Sequence, residues 1–309
     1  RALAVHPSGE WIALLCGDGQ ALEYSVTTHA IRSLFRFASP HPPVAPLHNG
    51  DCAYSPDGRW LVAWGLNDGC FVWDCATGRT CVEPVADSGT VFDVDFLGDM
   101  MLSARMNQSS GLDFRALPAG APAVPSIPYS NWPFLVRFHP GGEWILTTGR
   151  DRAGQVWDWR GGRRVGPPLP HEGEVMAGAF VPGQPWAVTG GHDGRIRTWA
   201  IPSGMPMGPT LEMPATVLTL QFSPTARSLI ACGFFGGWIG LYDWERLFPE
   251  ASLNPDDARL LAELDASATI NAEGGLVPLS AAEWLARWKE FRSRHPKFPN
   301  HSLSPGPTP

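Results

Sequence analysis

His171, Thr189 and Asp193 place an imidazole, a hydroxyl and a carboxylate in one stretch of chain, the three group types of a nucleophilic relay. A working relay also needs its hydroxyl presented on a strained turn, and no G-x-S-x-G elbow accompanies them. Metal chemistry is no better served. The nine histidines are scattered, with no close His/Asp/Glu cluster, and the spacing Cys70-x4-Cys75-x5-Cys81 fits no common zinc pattern. With Cys16, Cys52 and Cys232, these six cysteines read as reduced strand residues used as small apolar groups, which favours a reducing, cytoplasmic compartment. No catalytic residue, metal or cofactor is expected. What remains is recognition chemistry: arginines that pair with carboxylate or phosphate, and aromatics of the kind that anchor interfaces.

The spacing of His171, Thr189 and Asp193 belongs to a longer period. Tyr54, Phe96, Phe138, Phe180 and Phe222 are each 42 residues apart. Two positions after each aromatic stands a proline (Pro56, Pro140, Pro182, Pro224) or Gly98, and Pro7 joins the series after one step of 49. A second aromatic recurs 17 residues past the proline, as Tyr24, Trp73, Trp157 and Trp199, with Tyr242 one place late. Self-similarity at this period marks stacked or radial supersecondary units.

The fifth unit shows what one repeat must be. Val175-Met176-Ala177-Gly178-Ala179-Phe180 reads as an inner strand, and Pro182-Gly183-Gln184-Pro185 as a turn. Trp186-Ala187-Val188-Thr189 is a second strand and Gly190-Gly191-His192-Asp193-Gly194 a second turn. Arg195-Ile196-Arg197-Thr198-Trp199 alternates polar and apolar as a half-buried strand does, and Pro202-Ser203-Gly204 turns again before an outer strand near Pro209–Met213. Four short strands and their connections account for the period, with no helix-period stretch inside it. Four-stranded antiparallel blades around an axis hide both faces of such small sheets.

These residues resemble the WD-repeat family of β-propellers. The second unit carries the clearest signature, Tyr54-Ser55-Pro56-Asp57-Gly58-Arg59-Trp60-Leu61, then Asn67-Asp68-Gly69 and Val72-Trp73-Asp74. The fourth has Phe138-His139-Pro140-Gly141-Gly142-Glu143-Trp144 and Val156-Trp157-Asp158, and the first has Val5-His6-Pro7-Ser8-Gly9-Glu10-Trp11. The resemblance implies an all-β propeller over residues 1–245, six units of which are visible, as part of a seven-bladed ring. It also implies a hydrogen-bonded set of four in a blade, and here His171, Thr189, Asp193 and Trp199 hold those places, a structural role for groups otherwise suggestive of catalysis. The other units show Ala45, Asp87, Tyr129 and Met213 at the His place. The fourth unit keeps Thr147, Asp151 and Trp157, while the third has Arg105 and Arg115 in place of the Thr and Trp.

Past residue 245 the period changes. Asn254 as N-cap, Pro255, Asp256 and Asp257 open a helix to about Ser267, and Ser280-Ala281-Ala282-Glu283 is a capping box opening a second helix to about Arg294. Trp284, Trp288 and Phe291 form one apolar stripe on it, for docking onto the propeller or for another partner. Gly275-Leu276-Val277-Pro278-Leu279 is a candidate for the missing outer strand of the last blade; sequence upstream of Arg1 is the alternative source. The chain begins inside a repeat, which suggests a piece of a longer protein. Residues 246–296 form a helical extension and 297–309, rich in proline, a disordered tail. This end resembles that of bacterial proteins in which a Ser/Thr protein kinase domain precedes a WD-repeat array, although no kinase motif occurs here.

In a propeller the loops before the inner strand and between the second and third strands gather on one face, which the family resemblance marks as the partner site. Here those loops present Trp64 and Asn67; Arg105, Met106, Asn107 and Gln108; Trp132 and Phe134; Arg150 and Arg152; His192; and Phe234 with Phe235. Packing between blades is the alternative role for Trp64, Phe134 and Phe235, and ordinary solvated charge for the arginines. The expected function is a noncatalytic scaffold binding a protein or peptide partner, acidic or phosphorylated, paired by Arg105, Arg150 and Arg152. The alternatives are the regulatory region of a kinase and a propeller enzyme. A net charge of −7 argues against nucleic acid, and no apolar run is long enough for membrane contact.

Overall fold

Period-two alternation broken by glycine turns folds most of the chain into short antiparallel sheets. The computed structural model describes residues 2–16, 20–36, 51–65, 69–82, 90–106, 111–129, 132–223, 227–234, 236–248, 255–266, 268–270 and 276–296. Ala45, Asp87, Asn67, Asn107, Gln108, Phe235, Asn254 and the tail from 297 lie outside the described residues. Contacts divide the chain into two units, Arg1–Leu241 and Tyr242–Pro309. The second unit begins a little ahead of the expected position 246.

Among the described residues the first unit holds six sheets in chain order, as a β-propeller requires. The first has strands Ala2–Val5, Trp11–Leu15, Gln20–Ser25 and Ile31–Arg36, each paired with the next. The second has Asp51–Tyr54, Trp60–Gly65, Gly69–Asp74 and Arg79–Val82. The third (Thr90–Leu97, Met100–Met106, Gly111–Ala116) and the fourth (Pro133–Phe138, Ile145–Gly149, Ala153–Asp158) each split their outer strand into two short pieces. The fifth has Val175–Phe180, Trp186–Gly191, Arg195–Ala200 and Met205–Glu212. Its outer strand starts earlier than expected because it joins directly to the Pro202-Ser203-Gly204 turn. The sixth has Val217–Phe222, Ser228–Gly233 and Ile239–Asp243, with no fourth strand among the described residues.

One turn recurs after the inner strand. His6, Ser55, His139, Val181 and Ser223 each donate a backbone N–H, at 2.8–2.9 Å, to the carbonyl five residues on. In four of these turns Gly9, Gly58, Gly142 or Gly183 sits at φ between +72° and +75°, where a side chain is strained.

The sheets pack face on face. Trp60, Val62 and Trp64 of the second sheet meet Val91, Val94 and Phe96 of the third. Ala104, Leu112 and Phe114 of the third meet Val136, Phe138 and Ile145 of the fourth, and Leu146 and Val156 of the fourth meet Phe180, Ala187 and Trp199 of the fifth. Inner strands lie side by side from the first sheet to the sixth.

The second unit contains helices Pro255–Ala266 and Ala281–Arg294 and a two-stranded hairpin, Ala268–Ile270 with Leu276–Pro278. The capping box is formed: Glu283 N–H donates to Ser280 Oγ at 3.3 Å and Ser280 N–H to Glu283 Oε2 at 2.9 Å. Two expectations change here. Leu276–Pro278 does not complete the last propeller sheet; it pairs with Ala268–Ile270, the partner reached with the shortest loop and so the smallest closure entropy. The stripe of Trp284, Trp288 and Phe291 packs on Leu260, Leu261 and Leu264 of the neighbouring helix. Trp284 Nε1 donates to the Leu264 carbonyl at 2.8 Å, and buried Asp257 pairs with Arg294 at 2.7 Å and His295 at 2.9 Å. No helix among the described residues is long and apolar enough to cross a membrane.

Leu146 and Ile230 hold equivalent places on the second strands of the fourth and sixth sheets, yet only Leu146 is buried. Leu146→Ala should cost about 2–5 kcal/mol and Ile230→Ala no more than about 0.5 kcal/mol, read from urea unfolding midpoints.

Candidate partner-binding site

Strand pairing brings His171, Thr189, Asp193 and Trp199 together. Trp199 Nε1 donates to Thr189 Oγ1 at 2.7 Å, Thr189 Oγ1 lies 2.8 Å from His171 Nε2, and His171 Nδ1 lies 3.1 Å from Asp193 Oδ2. With Nδ1 protonated the chain runs Trp199 to Thr189 to His171 to Asp193 and matches each donor to an acceptor. Backbone N–H groups of Arg195 (3.1 Å) and Glu172 (3.2 Å) also reach the carboxylate, as does Arg197 Nη1 at 2.6 Å. Burial opposes ionisation of Asp193, but Arg197, the Arg195 N–H and His171 outweigh it and hold the carboxyl far below its ordinary range. Burial lowers the pKa of His171 and keeps it neutral at pH 7. The Thr189 hydroxyl is wholly buried and already bonded on both sides, so no substrate reaches it.

Other sheets solve the same polar problem differently. In the fourth, Trp157 Nε1 donates to Thr147 Oγ1 at 3.0 Å and the Tyr129 hydroxyl lies 3.4 Å from Asp151, a phenol in the place of the imidazole. In the third, Arg105 forms an ion pair with Asp113, and Arg115 Nη1 donates to the Gly120 carbonyl at 2.8 Å.

The loop rim is built by one repeated bond. Arg150 N–H donates to the Trp132 carbonyl (3.4 Å), His192 to Glu174 (2.9 Å) and Phe234 to Thr216 (2.9 Å), so these pairs sit at the same end of successive sheets. Contacts cross between sheets as well. Phe92 and Trp132 have ring centroids 5.9 Å apart, the Arg150 guanidinium stacks 4.2 Å over Trp132, and Arg150 Nε lies 3.5 Å from Glu174. Trp132 is nonetheless 40% exposed. Arg152 and His192 are exposed, with Arg152 at φ 55°, and Phe134 is half-buried.

Two expected rim residues belong elsewhere. Trp64 is buried: its strand continues to Gly65, so it falls in line with Trp60 and Val62 against the third sheet, and its Nε1 donates to the Phe92 carbonyl at 3.3 Å. Arg105 lies within the strand Met100–Met106, where Asp113 already neutralises it. Phe234 is exposed on the rim of the sixth sheet, and Trp238, unnoticed in the sequence, is exposed beside it in the same hairpin. The late placement of Tyr242 was the signal, because an extra residue in that hairpin is what displaces it.

A buried charged cluster was also unforeseen. Asp93 Oδ2 accepts from Val136 N–H at 2.9 Å and pairs with Arg137, and Asp95 Oδ2 accepts from Phe138 N–H at 2.6 Å. Burial pushes Asp93 up to about 6, against the pull of Arg137. The period held this clue too, since Asp51 and Asp93, and Asp95 and Arg137, are 42 apart. Among the described residues no group of three or more His, Cys, Asp or Glu is placed to hold a metal ion.

Comparison with known proteins agrees with this geometry. Residues 135–158 and 168–200 match the profile described as WD domain, G-beta repeat, the segments that span the fourth and fifth sheets. A chain from the crystal structure of the mitotic checkpoint complex superposes with a TM-score of 0.68 over 79% of this chain and 73% of that one. At 16% identity the likeness is one of fold. No curated protein matches the sequence.

His171→Ala should destabilise the propeller by about 1–3 kcal/mol while sparing partner affinity. Because the folded-state pKa of His171 lies below its unfolded value of about 6.5, the unfolded chain takes up the proton first, and the contribution of His171 declines as pH falls through that value. The gap in Tm between the native and variant chains should therefore narrow from pH 7.5 to 5, measured by calorimetry.

Proposed function

We propose that this chain is a noncatalytic interaction platform that holds a protein or peptide partner on the loop rim of its fourth to sixth sheets. The observation that carries this reading is Trp132, an exposed indole braced by Phe92 on one strand and by Arg150 stacked over its ring. An indole already fixed in place gives up little conformational freedom when a partner covers it, and tryptophan and arginine dominate binding hot spots. Phe134, Arg152, His192, Phe234 and Trp238 extend the same rim.

The partner's contacting segment is acidic or phosphorylated. Support comes from Arg150 and Arg152, both exposed, and from the long 3.5 Å contact between Arg150 and Glu174, which a partner carboxylate or phosphate can replace. Arg105 drops out of this role because Asp113 occupies it. A catalytic reading finds no support in the polar set at Thr189, which is sealed within the fifth sheet.

Affinity capture with the native chain, followed by titration of the recovered partner, tests the proposal. Trp132→Ala should cost about 2 kcal/mol of binding, roughly 30-fold in Kd, with an unchanged Tm. Arg150→Glu combined with Arg152→Glu should weaken binding further and flatten its salt dependence. Unchanged binding by both variants overturns the site.

A further inference from the structure

Left-handed backbone is reserved for glycine almost throughout this chain. Among the described residues fourteen glycines take positive φ, and only His29 and Arg152 do so with a side chain. His29 makes use of its place, since its Nδ1 lies 2.5 Å from the Tyr24 hydroxyl. Arg152 has no such contact. Its guanidinium is exposed and makes no ion pair, hydrogen bond or ring contact among the described residues. Asp151, the carboxylate beside it in the chain, turns to other partners, accepting from Gln155 Nε2 and lying 3.4 Å from the Tyr129 hydroxyl.

The place itself asks for glycine. Gly194, 42 residues on, stands there in the fifth sheet at φ 67°. The two turns are built alike: the Arg152 carbonyl accepts the His171 N–H at 2.8 Å, and the Gly194 carbonyl accepts the Met213 N–H at 2.7 Å. A Cβ on Gly194 would come within 2.6 Å of the Met213 carbonyl oxygen. In this conformation an L-residue crowds its own Cβ against the backbone, so local energetics favour glycine at 152 as well.

We propose that Arg152 is the specificity-determining residue of the rim, and that the group it selects is a carboxylate side chain of the bound segment. This rests on the interaction reading above and narrows it. A strained residue persists where something beyond its own backbone compensates, and no contact within the described chain does so here. One uncommitted guanidinium matches one monoanion, and its planar fork takes a carboxylate through two parallel N–H bonds. Arg150 differs, because Glu174 stands 3.5 Å from its Nε and an incoming acid must displace it. Arg152 therefore receives the first carboxylate without breaking a contact, and Arg150 contributes only by exchange.

The test pans a displayed library of random, unphosphorylated peptides on the native chain, then measures Kd for a selected peptide and Tm for each variant. Selected peptides should carry Asp or Glu. Arg152→Gly should melt about 2 °C higher, bind the peptide about 10-fold more weakly and lose part of the salt dependence. Arg152→Lys keeps both charge and strain, so it should melt like the native chain and retain the salt dependence, with an intermediate Kd. An Arg152→Gly chain that binds as tightly as the native one, or melts lower, overturns the proposal, as do selected peptides without an acidic residue. Phosphoserine in place of the selected acid, if it tightens native binding by about 10-fold or more, overturns the carboxylate and assigns the site to phosphate. Trp132→Ala separates this proposal from the reading beneath it. Peptides that lose affinity for Trp132→Ala but not for Arg152→Gly remove only the role of Arg152. Peptides indifferent to both, or a library that yields none, remove the rim as well.

Discussion

A small antiparallel sheet has two apolar faces and cannot cover either by itself; the rest of this structure follows from that. Burial of apolar area supplies the main folding drive, and the buried clusters here join residues of consecutive sheets. The faces are shaped in pairs. A Cβ on Gly178 would come within 2.7 Å of Leu146, one on Gly154 within 2.9 Å of Thr189, and one on Gly190 within 2.7 Å of Val217. Each glycine makes room for a side chain of the adjacent sheet, so the fourth, fifth and sixth sheets fit as a sequence of matched surfaces. Stability in such an array is close to a sum of neighbour terms.

Close face packing strands polar groups, and the chain disposes of them locally. A buried indole N–H finds a threonine hydroxyl in the fourth and fifth sheets, backed by Tyr129 and Asp151 in one and His171 and Asp193 in the other. The third sheet replaces the whole set with Arg105 and Asp113. Inner strands present a further difficulty, because the N–H groups on their free edge have no strand to pair with. Asp93 and Asp95 reach across from the third sheet and accept from Val136 and Phe138 of the fourth. The carboxylates thus act in place of a missing strand, at the cost of desolvation that shows in the raised pKa of Asp93. The identity of the polar residues varies from sheet to sheet, which is the freedom a repeat has once its packing is fixed.

That division explains what could be read from the sequence. The sheets were legible because aromatics, prolines and glycines recur at positions where packing and turn geometry admit few alternatives. The two helices after Leu247 were legible from the Ser280 capping box and from Pro255, Asp256 and Asp257. The rim was only half legible, because it depends on where strands end. Trp64 and Trp132 both stand near a rim loop in the sequence. The strand Trp60–Gly65 outlasts the expectation and carries Trp64 into the core, whereas Trp132 precedes its strand and stays outside. Two residues of strand length decide between a core indole and an exposed one, and strand ends are set by tertiary pairing more than by local propensity. The partner of the Trp284 stripe was illegible for a related reason: an apolar stripe states that something covers it, and not what.

Recognition is the chemistry this distribution of groups leaves available. The hydroxyl, imidazole and carboxylate that would interest a chemist are consumed as internal connectors, each with its bonding capacity filled. The groups at the rim are braced but not filled. Trp132 stays 40% exposed, and the Arg150 guanidinium is oriented by the indole beneath it and by Glu174 beside it while remaining half in solvent. An intramolecular carboxylate at 3.5 Å holds an arginine in place more than it satisfies it. Replacing that carboxylate with one from outside preserves the charge balance and the stacking, so a partner's acidic group exchanges with Glu174 instead of having to desolvate a bare cation. A surface arranged in this way binds by substitution for contacts the protein already makes to itself, with the rigid sheets behind it keeping the entropic cost of the exchange low.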